Sequence, residues 1–410
     1  MTFVASGGVE EISGGVADYD TVGFGGSQYV FSAGEAYGTN DSGNQWVEAG
    51  GVTYYVSTLT TEGGSEAQYG NQYLSGGDAY YTYLISGGGQ YVYSGGLGYE
   101  ATIQSGGVQD VEAGGDADYS FVSAGGYQYV QSGGTSDGTY VYSGGAGYVY
   151  LGGVGSSTTV ESGGVEYVYG DSYFATIEHS GDQYIESGGG ADSATLKGGG
   201  AEYVESGGVD SASLVDGGGQ QTVFAGGLAR SDTIASGGIQ VDYGVTSGTT
   251  ISKGGTEGIF SGGSADMSQV YGSEVVSSGG SGYGDTVHTG GVLTVSSGGH
   301  VSGGLTISGG YAGISGAVAS GQEIRFVGHG DLAFYDLTAF HATIGGYATG
   351  DEFDLGGFVF GAGETRSYAS GTLTVVDGGK TASLSLLGSY VTSDFALSTD
   401  SHGGTFVRFV

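Results

Sequence analysis

Short runs of alternating apolar and polar residues recur along most of the chain, separated by pairs of glycines. One kind of run contains Gln-Tyr-Val or a close variant, as at residues 128–130. The other contains Ala-Thr-Ile or a close variant, as at residues 101–103. Alternation with a period of two is typical of half-buried β-strands, and β-branched and aromatic residues favour strands. The pattern therefore predicts short β-strands throughout.

The glycine pairs give the repeat its length. They start at positions 87, 95, 106, 114, 125, 133, 144, 152 and 163, so the steps alternate and every second pair falls in the same place of a 19-residue repeat. Glycine tolerates the positive φ of tight corners, and each glycine costs a helix about 1 kcal/mol relative to alanine. We therefore expect a coil with two strands and two glycine corners per turn, repeated from about Ser6 to Gly310.

Aliphatic residues occupy two fixed positions of this repeat and predict two inward-facing ladders. The first ladder is Val92, Val111, Val130, Val149, Val168, Ile185, Val204 and Val223. The second is Ile103, Val122, Val141, Val160, Ile177, Leu196, Leu214 and Ile234. A single 19-residue copy cannot bury such residues, so neighbouring copies must stack. The predicted fold is an all-β β-solenoid (β-helix) of 19-residue Gly-Gly repeats.

The outward positions are expected to hold Tyr, Glu, Gln, Ser and Thr. Six tyrosines share one repeat position and predict an outward ladder: Tyr91, Tyr129, Tyr148, Tyr167, Tyr184 and Tyr203. Two interpretations stay open for this ladder. Stacked rings stabilise a thin solenoid, as cross-strand aromatic pairs do in sheets. Alternatively, the rings form an adhesive strip on which sugars stack.

The glycine rhythm stops at about Ala317. Residues 1–316 are therefore predicted to form the solenoid, and residues 317–410 a small C-terminal β domain of normal domain size. The second segment contains strand-like runs such as residues 372–376 and 382–387. We expect it to cap the solenoid, whose end strands would otherwise be exposed, and to carry the export signal.

Composition removes several classes of protein and partner. The chain has 95 glycines and no proline, which excludes collagen, and its 33 tyrosines and 38% hydrophobic residues argue against a disordered linker. A net charge of -36 makes nucleic acid and anionic lipid improbable partners. Without cysteine there is neither a disulfide nor a thiolate metal site. No apolar run is long enough for a membrane helix, so no membrane insertion is expected.

Calcium is the one metal for which the sequence offers candidate ligands. Asp285 ends a glycine-rich string, residues 279–285, that approximates the calcium-binding nonapeptide of secreted solenoids. Asp351, Glu352 and Asp354 could bind a hard cation through oxygen. The competing interpretation places Asp285 at an ordinary repeat corner and the other three at a solvated strand start. The six histidines show no metal spacing, and no cofactor is predicted.

No motif in the chain selects catalytic residues. The acidic side chains are scattered, whereas a glycosidase needs two carboxylates at a set separation. The strings of glycine lack the lysine of a phosphate-binding loop. We therefore predict that the protein is not an enzyme.

Residues 101–111 and 175–178 resemble the AIDA-type repeat of bacterial autotransporter adhesins. The resemblance implies a β-helical passenger domain that mediates adhesion, autoaggregation and biofilm formation. The chain departs from the autotransporter plan, because residues 317–410 are too few for the usual membrane barrel and residues 1–8 do not form a Sec signal peptide. The tail instead resembles the C-terminal region of proteobacterial repeat proteins exported by type I secretion, in residues 340–344, 350–355, 383–390, 394–395 and 400–405.

These observations predict a secreted structural or adhesive protein of the cell surface or biofilm matrix of a Gram-negative bacterium. We expect head-to-tail self-association into filaments, because a solenoid has open ends with unpaired backbone groups. The alternative is a carbohydrate- or surface-binding adhesin module that acts as a monomeric rod, with a cell-surface or matrix polysaccharide as its partner.

Overall fold

Short β-strands joined by tight corners make up the protein. Its structure, a computed structural model, describes residues 1–58, 70–400 and 403–410. The chain divides into two compact units, residues 1–213 and residues 214–410. Within each unit, strands from successive turns pair in parallel and in register, so that each unit is a β-solenoid. The predicted all-β solenoid is confirmed.

Each turn contains three strands, so the prediction of two strands per turn was wrong. The strands of unit 1 form three parallel sheets, which we number in chain order. The first sheet contains Phe3–Val4, Thr21–Val22, Asn40–Asp41, Ser57–Thr58, Tyr83–Leu84, Thr102–Ile103, Phe121–Val122, Tyr140–Val141, Thr159–Val160, Thr176–Glu178 and Thr195–Lys197. The second contains Val9–Ile12, Ser27–Val30, Asn44–Glu48, Asn71–Ser75, Gly89–Val92, Val108–Val111, Tyr127–Val130, Ala146–Val149, Val165–Val168, Asp182–Ile185 and Ala201–Val204. The third contains Val16–Asp18, Glu35–Tyr37, Val52–Tyr54, Asp78–Tyr80, Leu97–Tyr99, Asp116–Asp118, Thr135–Asp137, Val154–Ser156, Asp171–Tyr173, Gly190–Asp192 and Val209–Ser211.

The predicted glycine pairs form the corners on both sides of the second sheet. Gly106 has φ +86°, a left-handed conformation that costs other residues free energy. The second glycine of the pair is needed for space, because a Cβ on Gly107 would lie 2.2 Å from the carbonyl oxygen of Leu84 in the preceding turn. Two different constraints therefore explain why glycines occur in pairs.

The third corner joins the third sheet to the first sheet of the next turn, and the sequence does not mark it with a glycine pair. One residue there adopts a left-handed conformation in each turn, for example Tyr119 with φ 53° and Ser157 with φ 55°. In a few turns, as at Gly138, the same position is a glycine. Because most of these residues are not glycine, neither the apolar alternation nor the glycine spacing reveals the corner.

The solenoid core follows the predicted ladders closely. The first ladder from Val92 to Val223 is buried throughout, and so is the second from Ile103 to Ile234 except at one turn. There Leu214 is half-buried and Val215 takes the inward position, paired with Ile234. The third sheet contributes small interior residues such as Ala36, Ala79 and Ala117.

Unit 2, taken by itself, has the same three-sheet pattern. Its first sheet contains Leu214–Val215, Thr233–Ile234, Thr250–Ile251, Gln269–Val270, Thr286–His288, Leu305–Ser308, Glu323–Phe326 and Thr343–Gly345. Its second contains Gln220–Val223, Ile239–Asp242, Thr256–Ile259, Ser273–Val276, Val292–Val295, Tyr311–Ile314, Asp331–Phe334 and Glu352–Leu355. Its third contains Leu228–Arg230, Val245–Ser247, Ser264–Asp266, Ser281–Tyr283, His300–Ser302 and Ala317–Val318.

The end of unit 2 changes from parallel to antiparallel pairing. Thr365–Ala369, Thr372–Asp377 and Lys380–Leu387 form an antiparallel extension of the first sheet, and Phe395–Thr399 and Thr405–Phe409 extend the second. A single 3₁₀ turn, Thr392–Asp394, lies between them. Parallel pairing continues past Ala317 through Glu352–Leu355 in the second sheet, and in the first sheet Lys380–Leu387 pairs in parallel with Thr343–Gly345. The division of the chain at 316/317 stays a prediction. Ser401 and His402 of the tail motif lie outside the described residues.

Candidate functional surface and interior

The predicted tyrosine ladder lies on the outer side of the second sheet of unit 1, and its side chains are half-buried. Tyr129, Tyr148, Tyr167, Tyr184 and Tyr203 occupy the same position in five successive turns. The centroids of neighbouring rings are 5.2, 4.9, 5.3 and 4.7 Å apart. Partial burial raises the pKa of Tyr148 and of Tyr184 above the ordinary tyrosine value.

Tyr91 belongs to a second run of the ladder, because Asp110 occupies the turn between Tyr91 and Tyr129. That run also contains Tyr29, Trp46 and Tyr73, with ring centroids 4.8, 5.3 and 5.2 Å apart up to Tyr91. Sequence reasoning missed these earlier members. The 19-residue repeat is interrupted there, since Gln45 and Gln72 occupy the same position in successive turns with a sequence separation of 27.

The rings stack on one another and leave their edges at the surface. The planes of Tyr148 and Tyr167 differ by 15°, and those of Tyr184 and Tyr203 by 19°. A ring between two such neighbours has both faces covered, whereas sugars bind to open aromatic faces. The geometry favours the interpretation that the tyrosines stabilise the solenoid, at about 0.5–1.5 kcal/mol per aromatic pair.

The calcium candidates do not converge on one site. Asp285 is buried in the interior, where its Oδ1 accepts the backbone N–H of Ser268 at 3.0 Å. Asp351 is also buried and accepts the backbone N–H groups of Gly330 at 3.0 Å and Ala348 at 2.7 Å. Burial raises the pKa of Asp351 to about 6. A calcium role for either residue stays a prediction.

Glu352 and Asp354 lie on the outer side of their strand, away from the interior that Asp351 faces. Glu352 accepts a hydrogen bond from Arg408 Nε at 2.6 Å, so a cation already neutralises it. In the described parts of the chain, one group of three acidic or histidine ligands has its atoms close together: Glu161, Glu178 and His179. Lys197 also contacts Glu178, at 2.5 Å, so this exposed group includes its own counter-ion.

A ladder of polar side chains runs through the interior, so the expectation that Gln occupies outward positions of the repeat was wrong for these residues. In Gln-Tyr-Val, period-two alternation places Gln on the same side as Val, and the structure buries both. In unit 1 the position contains Glu10, Gln28, Gln45, Gln72, Gln90, Gln109, Gln128, Gly147, Glu166, Gln183 and Glu202. Recurrence of Gln at one repeat position beside an aliphatic ladder was the signal that could have revealed it.

Hydrogen bonds in this interior ladder run in one direction. Gln109 donates from Nε2 to Oε1 of Gln90 in the preceding turn at 2.7 Å, and Gln128 donates to Gln109 at 2.8 Å. Hydroxyl groups at the third corner complete the ladder, since Ser120 donates to Gln109 Oε1 at 2.8 Å and Thr139 to Gln128 Oε1 at 3.1 Å. Gln109 and Gln128 thereby each gain both a donor and an acceptor partner, as a buried polar group needs.

Acidic residues replace glutamine at some interior positions. Burial raises the pKa of Glu166, while hydrogen bonds from Gln183, Thr158 and Ser172 oppose the shift. In the first sheet, Asp41 takes an inward aliphatic position, and burial raises its pKa to about 8. Glu166 and Asp41 therefore retain their protons to a higher pH than exposed Asp and Glu residues do.

Comparison with solved structures identifies the family. A crystallised fragment of TibA, hyper-glycosylated by TibC, is 33% identical to this chain, with a TM-score of 0.52. The match covers 74% of this chain and 99% of the fragment. This chain belongs to the family of TibA, the AIDA-type autotransporter adhesins. No protein-family model and no curated protein sequence matches it.

Membership of the AIDA-type family agrees with the sequence resemblance and makes the chain an adhesin-like extracellular or cell-surface protein. The family relation covers the solenoid fold and its adhesin-like character. Among the residues that the structure describes, no helix is both long and apolar enough to span a membrane.

Proposed function

We propose that this AIDA-type protein is a non-catalytic structural adhesin of the bacterial cell surface or biofilm matrix, which self-associates head to tail. The observation that carries the proposal is a set of strands that pair on one side only. Strand edges with unpaired N–H and C=O groups are templates for pairing with another chain. A contact between two different surfaces of the same molecule repeats without closing and gives a filament.

The first turn of unit 1 provides one such edge. In the described chain Phe3–Val4, Val9–Ile12 and Val16–Asp18 each pair with the following turn. Phe3, Val9 and Val16 are 68%, 63% and 63% exposed. A turn added from a second copy would bury these apolar side chains as well as satisfy the backbone.

The antiparallel end of unit 2 provides the complementary edge. Thr365–Ala369 pairs with Thr372–Asp377, and Phe395–Thr399 pairs with Thr405–Phe409, so each has one side free of strand pairing among the described residues. We favour self-association over sugar stacking because the tyrosine faces are covered by neighbouring rings.

Electron microscopy and sedimentation velocity of the purified full chain, at rising concentration, test this proposal. We expect filaments from the wild type and loss of filaments from Val9→Lys, because a charge at a strand edge blocks pairing. Ile239→Lys is the matched control, since Ile239 also begins a second-sheet strand and is 45% exposed, but it has turns on both sides. It should retain the filaments.

Two results would overturn head-to-tail assembly. One is a monomer at all concentrations. The other is a dimer that grows no further, because a closed pair requires the same edge of both copies.

The tail carries a second part of the proposal, which is export by type I secretion. We expect a variant that lacks residues 356–410 to remain in the cells, with the full chain in the culture medium. A deletion of residues 108–126 removes one 19-residue repeat and keeps the tail, so this control should be exported. Export of the tail-less variant at the wild-type level would contradict the assignment.

A further inference from the structure

The interior of unit 2 contains four acidic side chains in three successive turns. Asp242, Glu257 and Glu274 are fully buried, and Asp285 is 1% exposed. All seven Lys and Arg residues of the chain lie among the described residues, and none is buried. The four carboxyl groups therefore have no basic side chain in the interior to neutralise them.

These carboxyl groups face one another in pairs. Asp242 lies within hydrogen-bonding contact of Glu257, and Glu274 within contact of Asp285. Among the described residues, no hydrogen bond of normal geometry reaches either oxygen of Asp242 or of Glu274, or Oδ2 of Asp285. Two ionised carboxylates only accept hydrogen bonds and repel each other, so such a contact requires a proton between them.

Nearby hydroxyl groups do not supply that proton. Thr246 donates its hydroxyl hydrogen to Glu257 Oε1 at 3.1 Å, and Ser268 donates to Glu257 Oε2 at 3.2 Å. Each hydroxyl has one hydrogen to give. Thr246 also lies within hydrogen-bonding contact of Asp242, but its one hydrogen satisfies only one of the two carboxyl groups. The contact between Asp242 and Glu257, and that of Glu274 with Asp285, therefore still lacks a donor.

The direction of the interior ladder leads to the same requirement. Gln240 donates from Nε2 to Gln221 in the preceding turn, as the glutamines of unit 1 do. Glu10 begins one run of the ladder in the first turn, and Glu166 begins another after Gly147. Each only has to accept a hydrogen bond from the glutamine in the following turn. Glu257 lies one turn after Gln240, and Glu274 lies one turn after Glu257. A glutamine at either position would donate a hydrogen bond to the residue in the preceding turn. A neutral carboxylic acid has the O–H that this position needs.

The arrangement favours protons over a metal ion. No three Asp, Glu or His ligand atoms in the described residues of this region lie together. Space in front of the second pair is left by Gly282, whose Cβ would lie 2.5 Å from Asp285 Oδ2 and 3.6 Å from Glu274 Oε1. The paired carboxyl groups thus fill the volume that a larger third-sheet residue would take.

We propose that these four carboxyl groups bind two protons, one shared within each pair, and that this part of unit 2 opens when the surrounding pH rises. At low pH the protons complete the hydrogen bonding of the interior. At high pH their loss leaves like charges in contact, which the buried surroundings do not solvate.

The direction of the pH effect follows from the proton balance. Burial raises the pKa of Asp285 to about 7, and burial with neighbouring carboxyl groups raises the pKa of Asp242 and Glu274. Asp232 and Asp266 are the further acids that act on this group, and both raise the pKa of their neighbours. Unfolded carboxyl groups ionise near pH 4, so between about pH 4 and 7 the open state binds fewer protons. Opening therefore becomes more favourable as the pH rises.

Hydrogen exchange read by mass spectrometry tests this proposal in the full chain. Corrected for intrinsic exchange, the opening constant of Ile239–Asp242, Thr256–Ile259 and Ser273–Val276 should rise by about a hundredfold per pH unit between pH 5 and 7, for two protons. The double variant Glu257→Gln/Glu274→Gln supplies amide donors to both pairs and should lose this dependence. Asp216→Asn removes an exposed charge from unit 2 and should behave as the wild type.

Infrared spectroscopy adds a readout that a purely structural role would not move. At pH 6 the wild type and Asp216→Asn should show the carbonyl band of protonated carboxylic acids more strongly than the double variant. Equal pH dependence of opening in wild type and double variant would overturn the proposal. The proposal would also be overturned if calcium chloride increased the protection from hydrogen exchange at pH 7, and a chelator decreased it, in the wild type but not in the double variant. A cation, and not protons, would then hold the carboxyl pairs together.

Discussion

Replacing Gln109 by leucine tests whether the interior ladder holds the solenoid together. Gln109 is fully buried and connects three neighbours. It donates to Gln90 Oε1 at 2.7 Å, and its own Oε1 accepts from Ser120 and from Gln128 Nε2, both at 2.8 Å. Leucine has a similar volume, so the substitution leaves the packing nearly intact and removes the hydrogen bonds.

The cost follows from the three groups that lose their partner. A buried donor or acceptor left unsatisfied costs about 1–3 kcal/mol, so three cost about 3–9 kcal/mol. Burial of the leucine side chain offsets about 1.5–3 kcal/mol of this. The midpoints of these two ranges give an expected net loss of about 4 kcal/mol in the free energy of unfolding of unit 1.

Chemical denaturation monitored by circular dichroism measures this loss, and a double-mutant cycle identifies its cause. Ser120→Ala removes one of the orphaned donors, and alanine fits because Ala101 occupies the same position one turn earlier. The double variant should recover about 1–3 kcal/mol relative to the sum of the single variants. A loss below about 1 kcal/mol for Gln109→Leu, or strict additivity in the cycle, would refute the reasoning.

Three further substitutions test other parts of the solenoid by the same denaturation assay. Tyr184→Ala removes a ring stacked on both sides and should cost about 1–3 kcal/mol, the value of two aromatic pairs. Ser157→Gly relieves a left-handed residue at the third corner, with φ 55°, and should be neutral or stabilise by about 1 kcal/mol. Asp41→Asn retains the acceptor for Gly43 N–H and removes a group with pKa about 8, so it should stabilise unit 1 by about 4 kcal/mol at pH 7 and by almost nothing at pH 3.

Each of these predictions has an outcome that contradicts it. Thr159 is an outward residue without a stacked ring. If Tyr184→Ala lowered the free energy of unfolding no more than Thr159→Ala does, ring stacking would not contribute to stability. Clear destabilisation by Ser157→Gly would mean that the corner is not strained. A gain from Asp41→Asn that is independent of pH would show that proton loss is not its cause.

Much of the fold could be predicted because it repeats. Val130 and Val141 occur in positions whose equivalents are aliphatic in turn after turn, and such recurrence requires stacking. Glycine pairs marked two corners because both their φ angles and their close contacts exclude a Cβ. The third corner was not predicted because it does not require glycine. Tyr119 or Ser157 can adopt a left-handed conformation there at a cost of about 1–2 kcal/mol, which the stacking of the turns offsets.

The interior chemistry depended on which face each polar residue takes and on its neighbours one turn away. Gln109 and Glu257 are residue types that usually lie at the surface. The only sign in the sequence of their interior position is that alternation puts them on the same side of the strand as a buried aliphatic residue. Asp285 illustrates the limit, since a glycine-rich string suggested calcium, and its contact with Glu274 follows only from the stacking of the turns.

The sequence by itself determined the repeat, the aliphatic ladders, the tyrosine ladder and the adhesin-like family, because each is a property of residues at a fixed spacing. Only the tertiary structure decided the number of strands per turn, the covered ring faces and the pairing of buried acids. Those features arise between turns, where the contacts of each residue are set by the turns above and below it. The sequence separation between equivalent residues also varies: it is 19 between Gln109 and Gln128, 17 between Glu166 and Gln183, and 27 between Gln45 and Gln72. Spacing alone therefore does not identify the neighbours.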